Sequence, residues 1–143
     1  MQNVEIRITG MQKTPGQGSE EAVPVVTECK GSGRIVNGRR HVMYQEAQEG
    51  TRGITKTHMI LGEDCLEVHR RGQTESTMIF RKGCKHVLSY RTPYGSIPME
   101  VRTDRFAYSE KDGQIRVYVE YRLSSDGVAV SKNTNEIIVR GMN

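Results

Sequence analysis

The chain has no tryptophan and only two phenylalanines among 143 residues, and its hydrophobic fraction is 35%. A deep aromatic core is thereby excluded; the interior must be thin and built from Val, Ile, Leu, Met and Tyr, which suits one curved sheet. Apolar runs are only a few residues long, far short of the ~20 that a membrane helix needs, and the N-terminus lacks the basic-then-apolar layout of a signal peptide. No membrane partner is expected. Cysteine is scarce as well. Cys29, Cys65 and Cys84 form no CxxC pair, and an odd number leaves at least one thiol unpaired in a monomer, which points to a reducing compartment, the cytoplasm. Apolar residues never recur at helical spacing over three turns, so a helix of any length is not expected.

What the chain does have is the two-residue period of strands. Residues 3–9 set Val4, Ile6 and Ile8 against Glu5 and Arg7, as in a half-buried strand. Residues 12–22, with Pro15, two glycines and two acids, cannot bury enough apolar area and read as a mobile loop. Residues 23–36 read as a long strand bent at Gly31 and Gly33. Asn37-Gly38 is a type I′ hairpin signal, and residues 39–47 follow as the third strand. Gly50 and Gly53 flank the next turn, into residues 54–61. Further strands are predicted at 65–70, 75–81 and 84–92, punctuated by Gly62, Gly72 and Gly83, and Pro93-Tyr94-Gly95 opens an eighth that runs as far as Tyr108. Beyond Asp112-Gly113, residues 115–123 form the cleanest amphipathic strand. Asp126-Gly127 and the polar run 131–135 precede a last strand at 136–140.

About ten short strands joined by tight turns describe an antiparallel meander, and closing it removes the exposed edges. Residues 1–143 therefore read as a single all-β domain, an antiparallel β-barrel of about 8–10 strands. The first and last strands, 4–8 and 137–139, are the expected seam.

The residues Tyr44-Gln45-Glu46, Arg71-Gly72, Met78-Ile79-Phe80, Tyr90-Arg91-Thr92-Pro93-Tyr94-Gly95 and 99–103 together resemble the YwiB-like proteins of Gram-positive bacteria. The resemblance spans nearly the whole chain. It implies a calycin-type barrel, related in shape to lipocalins, and brings no activity and no catalytic residue with it.

Function must then be sought in sites. Nucleotide chemistry has no support, since neither a GxxxxGK[ST] nor a GxGxxG motif is present. Cys65, His69, Cys84 and His86 lack the usual spacing of structural zinc ligands and read as packed cysteines and surface histidines, so no metal or other cofactor is expected. A reactive thiolate needs a base or cation placed beside it, which only the fold can show, so these residues give little support to nucleophilic catalysis and an enzyme is not the expected reading. Between residues 69 and 91, Arg70, Arg71, Arg81, Lys82, Lys85 and Arg91 face one acid, Glu75. Alternating with apolar residues, they read as the outer positions of strands, with weak, non-specific nucleic-acid binding at most. The barrel interior remains. Met78, Phe80, Tyr90, Met99, Thr103 and Tyr121 are in phase to line it, with Tyr44, Glu46 and Arg70 as polar candidates, the composition of a small-molecule pocket. Glu46 and Thr103 are the expected partners of the tyrosine hydroxyls. A basic-surface RNA- or protein-binding module and an enzyme with its site at the barrel mouth are the alternatives.

The purified protein is expected to carry no stoichiometric zinc, and chelator to leave its Tm unchanged; one metal per chain by elemental analysis would contradict this reading.

Overall fold

The structure, a computed structural model, describes residues 1–16, 22–47 and 53–142. Residues 17–21 of the loop expected at 12–22, and Gly50, lie outside the described residues, while Gln12 and Lys13 of that stretch belong to the first strand. Ten strands are present: β1 (Gln2–Lys13), β2 (Val25–Val36), β3 (Arg39–Ala47), β4 (Ile54–Leu61), β5 (Leu66–Arg71), β6 (Ser76–Phe80), β7 (Lys85–Thr92), β8 (Gly95–Lys111), β9 (Gln114–Ser125) and β10 (Val128–Arg140). They form one antiparallel sheet in the order β6-β5-β4-β3-β2-β1-β10-β9-β8-β7, bent into a nearly closed barrel. No described residue is helical.

Local chemistry explains the connections. Asn37-Gly38, Asp112-Gly113 and Asp126-Gly127 each hold both turn residues at positive φ, between 50° and 76°, the type I′ geometry whose twist matches the flanking strands. In the Thr92-Pro93-Tyr94-Gly95 turn the Thr92 hydroxyl donates to the Gly95 carbonyl at 2.8 Å and accepts from the Tyr94 amide at 3.1 Å. Gly95 sits at φ 129°, closed to other residues.

The first and last strands meet as the alternation places them: β1 and β10 are joined by a continuous ladder, from Glu5 with Arg140 to Lys13 with Lys132. What the alternation does not show is the break at β6 and β7, neighbours in sequence that end the sheet and share a single bridge, Glu75 with Arg91, among the described residues. The polar run 131–135 is not a connection but the middle of β10, paired throughout with β9. Its Ser131 and Asn133 are buried, so polarity there marks an interior and not a loop.

Pairing and alternation together assign the inward face. One end of the interior is solid: Ile6, Leu61, Leu66, Ile115, Val117 and Val139 are at most 2% exposed. Met142 plugs this end, and Gly33 makes room for it, since a β-carbon there would meet the Met142 sulfur at 2.9 Å. Gly31 is inward as well; a β-carbon would collide with the Met43 carbonyl oxygen. Gly31 thus permits the close approach of β3, and Gly33 the seating of Met142. Arg40 and Glu110 pair at 2.9 Å at the same end, and the Tyr108 hydroxyl donates to Glu110 at 2.9 Å. Burial and that bond push the Tyr108 hydroxyl up to about 12. A bulge between Thr103 and Arg105 inserts one residue into β8, so that Val101 and Thr103 point inward before it and Phe106 and Tyr108 after it.

Phe80, 3% exposed, packs on Tyr121 with ring centroids 4.6 Å apart and planes tilted by 57°, linking β6 to β9 across the interior. Phe80→Ala is expected to cost about 3–5 kcal/mol in urea denaturation. Val128→Ala, at a position 66% exposed, is expected to stay within ~0.5 kcal/mol.

Candidate functional site

The other half of the interior is polar. Tyr44, on β3, is 4% exposed and hydrogen-bonded to the buried Thr57 of β4. Tyr121, on β9, accepts from the Asn135 amide of β10 at 3.1 Å, and Asn133 donates to Ser131 at 2.9 Å. Thr103 pairs with Tyr121 in register and is 1% exposed, yet its hydroxyl has no partner among the described residues. Arg70 shares this inward row, flanked by Thr57 and Ser76, and reaches solvent at the mouth. Burial raises both tyrosine hydroxyls, and in each case the Arg70 charge works against that rise. One guanidinium is therefore felt by two buried phenols on opposite walls. Glu46, one inward step further out on β3, is exposed at the rim.

The structure thus brings Tyr44, Arg70, Thr103 and Tyr121 together, with Glu46 at their edge. Phe80 belongs to the packed core, and Met78, Met99 and Tyr90 are partly buried nearer the β6/β7 gap. The expected partners of the hydroxyls are corrected: Thr57 and Asn135 bond the two tyrosines, not Glu46 and Thr103. Thr57, Asn133 and Asn135 were missed by the sequence reading. The signal existed, because Ser131, Asn133 and Asn135 alternate in phase with Ile137 and Val139.

The β6/β7 gap is closed by side chains where backbone pairing stops. The Glu75–Arg91 bridge makes two backbone bonds of 2.9 Å at one end, and the Cys84 amide donates to the Arg81 carbonyl at 2.9 Å at the other. Between them the His86 imidazole lies 3.2 Å from the Thr77 carbonyl and donates to it across the gap.

On the outer wall, β3, β4 and β5 carry a row of imidazoles. His41 Nδ1 and His58 Nε2 are 2.9 Å apart, a contact that holds one proton, and the His58 and His69 ring centroids lie 6.0 Å apart. His69 contacts Thr77 Oγ1 at 3.1 Å and Glu67 at 3.4 Å. Glu67 also binds Arg39 at 2.8 Å. Burial acts to raise the Glu67 carboxyl, but Arg39 and His69 outweigh it and hold it below its usual value. Burial lowers His41 and His58, helped by Arg34 and, for His58, by the other two imidazoles. Of the residues weighed for metal, Cys65 is buried, Cys84 is exposed, and both His69 and His86 are engaged with Thr77. No three His, Cys, Asp or Glu side chains among the described residues are arranged to hold a metal ion. Burial pushes the Cys29 and Cys65 thiols up, away from thiolate chemistry.

Comparison with known proteins fixes the lineage but no chemistry. Residues 6–137 match the family described as Domain of unknown function (DUF1934). The crystal structure of the ywiB protein from Bacillus subtilis is similar with a TM-score of 0.83 and 13% identity, over 99% of this chain and 93% of that one. At that identity the likeness speaks for the barrel alone. None of the curated proteins matches.

The lowered histidines make stability depend on pH. A group neutral in the fold and protonated once unfolded gives stability that is full above its unfolded pKa of about 6.5 and is lost as pH falls toward the folded value. The urea midpoint is expected to drop between pH 7 and 5, and His58→Gln to flatten that drop. An unchanged slope in the variant would show that the imidazole row is not its source.

Proposed function

The chain belongs to the DUF1934 family, and from a shared barrel with no activity attached we propose that it is a cytoplasmic, non-enzymatic binding protein. Its ligand is a small, partly apolar molecule with an anionic end, seated in the polar half of the barrel. The observation that carries this reading is the unpartnered hydroxyl of Thr103, buried beside Tyr121 within the field of Arg70. A buried hydroxyl without a partner costs about 1–3 kcal/mol, and a ligand group bonded to it removes that cost. Arg70, with no carboxylate in ion-pair distance among the described residues, supplies the charge for an anionic end. Met78, Met99 and Leu88 supply apolar wall that can repack, methionine being suited to varied shapes. Three free thiols, two of them raised by burial, favour a reducing compartment and speak against a nucleophilic enzyme.

The probe is 8-anilinonaphthalene-1-sulfonate, apolar with one fixed negative charge. It is expected to bind once per chain with enhanced fluorescence. A charge-assisted hydrogen bond contributes about 1.5–3 kcal/mol, so Arg70→Gln is expected to weaken binding about tenfold or more. Tyr121→Phe, which keeps the ring on Phe80, should weaken it less, and both variants should melt within about 3 °C of the parent. Unsaturable binding, or saturable binding that Arg70→Gln leaves unchanged, would overturn the proposal.

A further inference from the structure

A concavity of about 1190 Å³ runs across the wall from β2 to β7, and most of the side chains that line it face outward. Its floor is the backbone of inward residues such as Tyr44 and Thr57. Its sides are two outward rows, one running through Lys30, Lys56 and Arg71 to Arg91, the other through His58 and His69. Rows two residues apart on a strand stand about 7 Å apart, and six strands at about 4.8 Å give a length of roughly 24 Å.

Much of the remaining wall is paired across strands, Lys85 with Glu100, Arg105 with Glu120, Arg116 with Glu136 and Arg122 with Asp104, while Arg34, Arg102 and Lys132 stand there without an ion pair among the described residues but do not line the groove. In the groove, Lys30, Lys56 and Arg71 have no carboxylate in ion-pair distance among the described residues. Its one acid, Glu75, is met by Arg91 at 3.6 Å. Unneutralised cations collected along a narrow channel from strands distant in sequence are the footprint of an extended anion.

We propose that this groove binds single-stranded nucleic acid through its phosphates. A channel between side-chain rows about 7 Å apart admits one extended phosphate chain and excludes a duplex. Guanidinium forks at Arg71 and Arg91 suit phosphate oxygens. The outward rows carry no Phe or Tyr, only imidazoles, so no base sequence is selected. Binding is electrostatic and weak at physiological salt.

The test is fluorescence anisotropy with a labelled twelve-residue oligouridylate at low salt, on the full chain. With three or four phosphates neutralised, log K should fall against log salt with a slope of about −2 to −3, at ~0.7 per phosphate for single strands. The double variant Lys56→Gln, Arg71→Gln should lose at least tenfold in affinity and about 1.4 in slope. Arg116→Gln with Arg122→Gln, removing two paired cations from β9, should change affinity less than twofold. Circular dichroism melts confirm that each variant folds. Absence of binding, equal loss in both double variants, or equal affinity for a duplex or for oligoglutamate would overturn the proposal. Because Lys56 and Arg71 face outward, sulfonate-dye binding to the interior should survive in their variant, so the two readings fail separately.

Discussion

Nine ladders set every strand but two between paired neighbours, and the remaining pair, β6 and β7, must meet each other if an interior is to exist. Backbone pairing cannot do this alone, because only Glu75 and Arg91 form a rung. Side chains complete the closure. His86 spans the gap to the Thr77 carbonyl, and Phe80 from the β6 edge rests on Tyr121 of β9. Burial of Phe80 thus adds to the closure where hydrogen bonds are missing, while the Glu75–Arg91 bridge holds the other end of β6, beside Ser76 and the polar half of the interior.

Period-two alternation made most of the fold legible. Strand existence, the three Asn/Asp-Gly turns and the inward phase of Val117, Val119 and Tyr121 follow from residue spacing alone. What failed has identifiable causes. Alternation says which face a residue takes but not which strand pairs with which, so the closure of β1 on β10 could be expected while the break between the consecutive strands β6 and β7 could not. Polarity was read as a loop at 131–135 because an interior is normally apolar; here Asn133 and Asn135 are held by Ser131 and Tyr121. The bulge at Asp104 carries no sequence signal of the kind a glycine gives.

The candidate site was partly legible for the same reason. Tyr44, Thr103 and Tyr121 are in phase with aliphatic neighbours, and this phase survived folding. Their hydrogen-bond partners did not follow, since these depend on register between β3 and β4 and between β9 and β10. The basic stretch at 69–91 shows how contiguity misleads. Arg81 pairs with Asp64, Lys85 with Glu100 and Arg91 with Glu75, while Lys30 and Lys56, far away in sequence, join Arg71 on the same wall. On β4 the alternation of Lys56, Thr57 and His58 turns one stretch of chain toward both surfaces at once.

The ladder between β1 and β10 also bears on how the molecule assembles. β1 to β6 and β7 to β10 are two meanders of strands consecutive in sequence, but they are joined in the sheet by contacts such as Ile6 with Val139, near opposite ends of the chain. The entropy of closing so long a loop must be met before those contacts give any return, and proteins dominated by such pairings fold slowly. Until then Val4, Ile6, Ile137 and Val139 are unpaired strand edges of alternating hydrophobicity. The same pairing that unites the finished sheet therefore defines the interval in which the nascent chain is most able to pair with another copy of itself.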